Sequence, residues 1–367
     1  MTQTVQGYAA HSHDTPLVPF SFERRDPRPD DVVIDILYTG VCHSDLHAAR
    51  NDWGFTTYPV VPGHEIVGRV TAVGADVSKF KVGDLVGVGC MVDSCRECEP
   101  CHHHLEQYCD NGFVATYDSA DKHDGRRTYG GYSKSITVSD AFVLKVPENL
   151  DTKAVPPILC AGITTWSPLR HWKVGKGSKV AVIGLGGLGH MAIKLAHALG
   201  AEVSLFSRSP NKADDARRLG ADHVILSTDE AQMQAAAGQF DLIIDTVPYE
   251  HDANPYMPTL KLDGTLVFVG LVGDVTPALS TIPMIFKRRN VAGSLIGGIK
   301  ETQELLDFCG EHNIVSDIEI IDMKDINDAY ERMLKSDVKY RFVIDMASQP
   351  DRGQGNRGEP ECCRLYR

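Results

Sequence analysis

Apolar residues fall in short, glycine-broken blocks through the first 150 positions and in longer alternating blocks after them. VVIDILYTG places Val33, Ile34, Ile36 and Leu37 in a run that Gly40 ends, which is a strand pattern. Ile66 to Val70 is a second apolar run, and Gly74, Gly83, Gly87 and Gly89 punctuate further short strands. GGYSKSITV and AFVLKVP add two more, after a polar loop from Tyr117 to Tyr129 that is expected to be exposed. The whole segment reads as a compact β domain rather than as helices. Between Asp151 and Trp172 the pattern turns helical and is expected to cross between domains.

From Val180 the pattern predicts strand 180–183, helix 188–199, strand 202–206, helix 211–219, strand 223–226, helix 230–237, strand 242–245 and strand 265–271. Strands alternating with helices imply a parallel, doubly wound sheet, so the fold class is α/β. After Gly297 an amphipathic helix is expected over KETQELLDFCGEH, then strands in DIEIIDM and YRFVIDM flanking a helix at 326–336. Gln349 to Arg367 is rich in Gly, Arg, Pro and Glu and poor in apolar residues, the composition of a disordered tail.

The stretch from Val180 to Ala201 carries the strongest local signal. Gly184, Gly186 and Gly189 stand in the spacing G-x-G-x-x-G, with Gly187 and Leu188 between them. In a dinucleotide site the first glycine permits the tight turn. The second lets backbone approach a pyrophosphate, and the third lets helix pack on strand. The helix N-terminus then presents free N–H groups to phosphate. Among 33 glycines the spacing alone is weak, but here it follows a predicted strand and opens a predicted helix.

Composition changes this picture little. The 367 residues suggest two domains, and 43% hydrophobic with 23% charged residues is ordinary for a soluble protein. A net charge of −12 argues against nucleic acid as a partner. No leader-like apolar segment and no run of membrane-spanning length are seen, so a cytoplasmic location without a membrane partner is expected. Ten cysteines then call for metal rather than disulfides. Cys95, Cys98, Cys101 and Cys109 are close enough to close a tetrahedral shell around one Zn²⁺, the pattern of a structural site. His102, His103 and His104 are expected to face solvent, and Cys90 and Cys309 to be core residues.

The stretches GVCHSDLH, PVVPGHEIVGRV, CRECEPC with Cys109, CAGITTW and VIGLGGLGH occur in this order over about residues 5 to 347. Together they resemble the zinc-dependent medium-chain alcohol dehydrogenases, in particular their cinnamyl-alcohol-dehydrogenase-like, NADP-using branch. The resemblance implies a GroES-like catalytic domain from 1–160 and 298–348, with a structural zinc lobe at about 90–112. It places a Rossmann domain at 161–297, leaving the 349–367 tail outside, and implies a homodimer joined through Thr281 to Gly298.

The resemblance further implies that Cys42, His64 and Cys160 hold a catalytic Zn²⁺, making two zinc ions per chain. Such a site leaves a fourth position for an alcohol or aldehyde substrate. Asp45 would accept from the ring N–H of His64 and fix its tautomer. Glu65 would support the metal or bind it transiently. Ser44 and His47 would relay the proton that accompanies hydride transfer. For the cofactor, Thr164, Val269, Gly270 and Ser294 are carried over as contacts.

The residues themselves speak to which nicotinamide is used. An NAD site places an acid about 20 residues beyond the glycines, on the ribose 2′-OH. Here Ser207, Arg208 and Ser209 stand at that point and Lys212 follows, a set that suits a 2′-phosphate and predicts NADP(H). An exposed basic turn would leave that preference weak. Trp53, Phe55, Leu295 and Ile296 are pocket candidates or simple packing. Two alternatives stand beside the reductase reading. One is a polyol dehydrogenase of the same fold, against which Cys160 argues. The other is a non-catalytic NADPH-binding protein, against which the retained metal residues argue.

Overall fold

The computed structural model describes residues 3–270, 273 and 275–349. The predicted tail therefore lies outside the described residues, apart from Gln349. Strands β1 (Gln3–Ala9) and β2 (Val18–Arg24) pair as an antiparallel ribbon. Then follow β3 (Asp31–Gly40), α1 (His43–Arg50), β4 (Ile66–Val73), β5 (Leu85–Val88), β6 (Met91–Asp93), α2 (Glu99–His102), β7 (Val114–Ala115), β8 (Ser135–Ser139) and β9 (Leu144–Lys145). Gly74, Gly83 and Gly89 lie outside the strands as the sequence suggested, but Gly87 falls inside β5. A Cβ on Gly68 would lie 2.2 Å from the Asp35 carbonyl of β3, so β4 can pair that closely only without a side chain there.

The predicted crossing helices are two short 3₁₀ turns, 152–154 and 156–159, and α3 (Ala161–His171). Pro156 and Pro157 keep the second turn short, because neither can donate a backbone hydrogen bond. Next come β10 (Lys179–Ile183), α4 (Gly187–Ala198), β11 (Glu202–Ser207), α5 (Ala213–Leu219), β12 (His223–Leu226), α6 (Glu230–Ala235), β13 (Phe240–Asp245), β14 (Leu260–Phe268), α7 (Thr281–Lys287) and β15 (Asn290–Gly293). These six strands form one parallel sheet in the order β12-β11-β10-β13-β14-β15. This is the doubly wound order, with the crevice at the reversal between β10 and β13. The central strands are buried on both faces, as expected for a parallel sheet covered by helices.

Three of the boundary differences from the sequence pattern have a local cause. Helix α4 opens at Gly187, since Gly186 is its extended N-cap. The helix expected from 211 begins as a 3₁₀ turn at Pro210 and becomes α-helical only at Ala213. Strand β14 starts five residues before Thr265, because its first half carries exposed Leu262 and Asp263 and so lacks the apolar signature. Leu271, the predicted end of that strand, lies outside the described residues.

The chain then returns to the first sheet through α8 (Ile299–His312), β16 (Ile318–Asp322), α9 (Ile326–Leu334) and β17 (Arg341–Asp345). Its order is β16-β17-β3-β4-β5-β9, with β8 also on β3. Thus β17 pairs antiparallel with β3, some 300 positions earlier in the chain. Among the described residues no helix is long and apolar enough to cross a membrane.

Candidate metal and dinucleotide site

Two groups of metal-ligating side chains stand out. Cys95, Cys98, Cys101 and Cys109 bring their sulfurs within 4.8 Å of one another around the short helix α2. The neighbouring His102, His103 and His104 are exposed. The four thiols and their spacing fit a closed tetrahedral zinc site.

The second group is Cys42, His64, Glu65 and Cys160, all buried, with ligand atoms within 4.8 Å. Each arrives at the end of an element: Cys42 is the N-cap of α1, His64 precedes β4, and Cys160 is the N-cap of α3. Two soft thiols and an imidazole are a donor set that suits Zn²⁺. The Cys42 thiol is the more acidic of the pair, because Cys160 hydrogen-bonds to it and the Arg341 charge favours its thiolate.

Asp45 organises this group. Its Oδ1 accepts from His64 Nδ1 at 2.9 Å and from the Gly63 N–H at 3.0 Å. Its Oδ2 accepts from the Cys42 N–H at 3.0 Å and from Tyr132 Oη at 3.2 Å. The carboxylate accepts only, so Nδ1 of His64 carries the proton and Nε2 offers its lone pair to the metal group. The ring of Tyr117 packs 5.8 Å from that of His64. The loop it begins is therefore exposed only at its tip, and its two ends are half-buried.

Glu65 does not stand free beside the metal group. It is ion-paired with Arg341 of β17, both residues being almost wholly buried. Burial pushes the Glu65 carboxyl up to about 7, against the pull of the Arg341 charge. A Cβ on Gly40 would fall 1.9 Å from Glu65 Oε2, so a glycine there gives the carboxylate its seat. Sequence reasoning missed Arg341; its one signal was a charge inside the apolar run of YRFVIDM.

On α1, Ser44 Oγ lies 3.7 Å from Cys42 Sγ, while His47 Nδ1 engages Asp52 Oδ2 at 2.7 Å. Trp53 stacks between His47 and Phe55, and Phe55 is 69% exposed, so these rings line an open face and are not core. Cys309 is core, but Cys90 is only partly buried, with its thiol 3.8 Å from the Leu159 carbonyl.

The glycine turn follows β10. Gly184 has φ 88°, a backbone conformation that favours glycine. A Cβ on Gly189 would stand 2.2 Å from the Gly184 carbonyl, whereas one on Gly186 would meet nothing within 4 Å. The surface at Gly186 is thus an open cradle at a helix N-terminus, which fits a pyrophosphate. A Cβ on Gly187 would press on the Arg341 side chain at 2.8 Å, so Arg341 lies between the metal group and this turn. Leu188 is half-buried against the core.

At the end of β11, Ser207 Oγ donates to the Ser209 carbonyl at 2.8 Å, and Ser209 caps the next turn. Lys212 Nζ donates to the Leu185 carbonyl at 2.9 Å, which brings its charge back to the glycine turn. Arg208 is exposed and hydrogen-bonds Tyr249. Thr164 is buried one turn beyond Cys160. The Val269 N–H donates to the Asp245 carbonyl, Gly270 lies against Val247, and the Ser294 N–H donates to the Phe268 carbonyl. Apart from Thr164, which sits on α3, these positions follow the C-terminal ends of strands of the parallel sheet, where such folds bind ligands.

Comparisons with known proteins give the family. Residues 28–148 match the alcohol dehydrogenase GroES-like domain family, and 187–311 the zinc-binding dehydrogenase family. The chain belongs to the zinc-dependent medium-chain alcohol dehydrogenases. A cinnamyl alcohol dehydrogenase of Sorghum bicolor superposes with a TM-score of 0.91 at 46% identity, covering 95% of this chain and 99% of that one. An NADP-dependent alcohol dehydrogenase of Mycolicibacterium smegmatis is 54% identical over 94% of this chain and 99% of its own. An aldehyde reductase of Escherichia coli is 52% identical over 95% and 99%. Within the family, the protein falls in the cinnamyl-alcohol-dehydrogenase-like branch.

Proposed function

We propose that the protein interconverts primary aromatic or medium-chain alcohols and the corresponding aldehydes, using NADP(H), with Cys42, His64 and Cys160 as catalytic metal ligands. The observation that carries this reading is one buried group of two thiols and an imidazole beside an open glycine cradle, with Arg341 between them. When bound, zinc supplies Lewis-acid polarisation of the carbonyl oxygen and NADPH supplies the hydride. Asp45 holds His64 in the tautomer that can ligate. The Ser44 hydroxyl hydrogen-bonds the substrate oxygen, and His47, one turn along α1 and oriented by Asp52, brings the proton in from water during reduction and carries it out during oxidation.

Gly184, Gly186, Gly187, Leu188 and Gly189 hold the pyrophosphate, with Thr164, Val269, Gly270 and Ser294 along the rest of the cofactor. Ser207, Arg208, Ser209 and Lys212 take the 2′-phosphate. Cys95, Cys98, Cys101 and Cys109 hold the structural zinc. The domain boundaries given above, a cytoplasmic location and a homodimer belong to the same proposal. In support of the dimer, α7 exposes Ile282, Ile285 and Phe286 by 64%, 75% and 80% beside the edge strand β15, an apolar patch of the kind that partners cover.

The test is the initial rate of cinnamaldehyde reduction by the zinc-loaded protein with NADPH and with NADH. Fast turnover confined to NADPH is expected. Equal rates with both would remove the 2′-phosphate assignment, and no turnover with a panel of aldehydes would remove the reductase reading.

A further inference from the structure

The turn that joins β15 to α8 is held from both sides. The Leu295 N–H donates to Tyr108 Oη at 3.0 Å, and the Ile299 N–H donates to Glu106 Oε2 at 3.0 Å. A Cβ on Gly298 would fall 1.8 Å from the His104 carbonyl oxygen, and one on Gly297 would fall 2.6 Å from Ile163 of α3. Between these anchors Ile296 has φ 34°. A β-branched residue rarely takes that conformation, and it persists only where the surroundings over-determine it.

The anchors have different origins. His104, Glu106 and Tyr108 all lie between Cys101 and Cys109, inside the cysteine-rich lobe. Ile163 lies three residues past Cys160, on the helix that Cys160 caps. The held residue faces inward: Ile296 and Gly297 line a narrow crevice together with Cys90, Leu159 and Ile163. Cys90, on the wall of this crevice, is an electrostatic neighbour of both His64 and Cys160, so the crevice adjoins the second metal group.

We propose that the cysteine-rich lobe positions the substrate wall, with Tyr108 and Glu106 as positioning residues that hold Ser294 to Ile296 against the catalytic centre. The lobe does more than stabilise the fold, because a metal held by its four cysteines would fix the segment that presents these two acceptors. The inference rests on the catalytic and cofactor assignment above. It adds that a site distant in sequence sets the geometry in which aldehyde and nicotinamide meet.

The test uses Tyr108→Phe, Glu106→Ala and Glu106→Gln in the zinc-loaded enzyme, with Gly186→Val beside them. Tyr108 is 44% exposed, so removing its hydroxyl leaves folding intact. Losing one such hydrogen bond should raise KM for cinnamaldehyde about 3- to 10-fold. The Kd for NADPH, read by fluorescence titration, should rise with it. The melting temperature and the zinc content should stay as in the parent. Glu106→Ala should behave like Tyr108→Phe, and Glu106→Gln, which keeps an acceptor, should recover most of the loss. Parental KM and Kd in Tyr108→Phe and Glu106→Ala would overturn the proposal, as would a fall in melting temperature alone. Gly186→Val separates the two layers of the argument: undiminished NADPH binding there would overturn the cofactor assignment, and this inference with it.

Discussion

Arg341 of β17 and Glu65 at the start of β4 form an ion pair that is all but closed to water, 276 positions apart in the chain. One end of the pair touches the metal-ligating group and the other lies under Gly187. Removing one partner of such a pair leaves a buried charge uncompensated, which typically costs about 3–5 kcal/mol. Arg341→Met should therefore lower stability by about that amount. The double variant Arg341→Met with Glu65→Gln should recover a large part of it. Urea melts of the four proteins in the cycle check this, and strictly additive losses would show that the pair is not a unit.

Asp45 orients His64 while accepting three further hydrogen bonds. Asp45→Asn keeps the size but removes the charge and turns one acceptor into a donor. Loss of such an outer carboxylate lowers metal affinity by roughly 10- to 100-fold. Dialysis against a mild chelator should then strip one zinc per chain, leaving the four-cysteine site loaded. Metal analysis that finds two ions retained would contradict the ligand assignment of His64.

The cofactor preference is tested where β11 ends. Ser207→Asp places a carboxylate where a ribose 2′-OH would sit and repels a 2′-phosphate. Hydrogen bonds to charged groups contribute about 1.5–3 kcal/mol, so kcat/KM with NADPH should drop by about 10- to 100-fold. Turnover with NADH should rise in the same variant. If both cofactors lose equally, Ser207 is merely structural.

Two glycines of one motif should respond in opposite ways. Gly186→Ala adds a methyl group to open space, so the melting temperature should hold while NADPH affinity falls. Gly189→Ala drives its methyl into the Gly184 carbonyl and should cost about 1–3 kcal/mol of stability. Thermal melts and NADPH titration on the two variants separate these effects, and equal melting temperatures would contradict the packing role of Gly189.

What the chain discloses depends on how far apart its partners lie. Cys95, Cys98, Cys101 and Cys109 announce a metal site by spacing alone, because one short turn brings them together. The dinucleotide turn is legible for the same reason. Cys42, His64 and Cys160 come from three separate elements, so only the family resemblance assembled them. Arg341, Tyr132 and Tyr108 escaped notice because their partners sit in other segments. Strand β14 was half seen, since its exposed first half follows no apolar period.

The pairing of β17 with β3 also bears on the order in which this protein takes shape during synthesis. All six strands of the parallel sheet have been made by residue 293, so that body has its full complement early. In the other sheet β8 already covers Asp31 to Asp35 of β3, but the Tyr38–Gly40 end of that edge waits unpaired until residue 345 has emerged. Arg341 arrives on that same strand, and until then Glu65 has no counter-charge. A nascent chain that has reached residue 293 therefore holds every strand of the dinucleotide sheet while one end of β3 still lacks its last neighbour, and an unpaired edge of that kind is prone to mispairing.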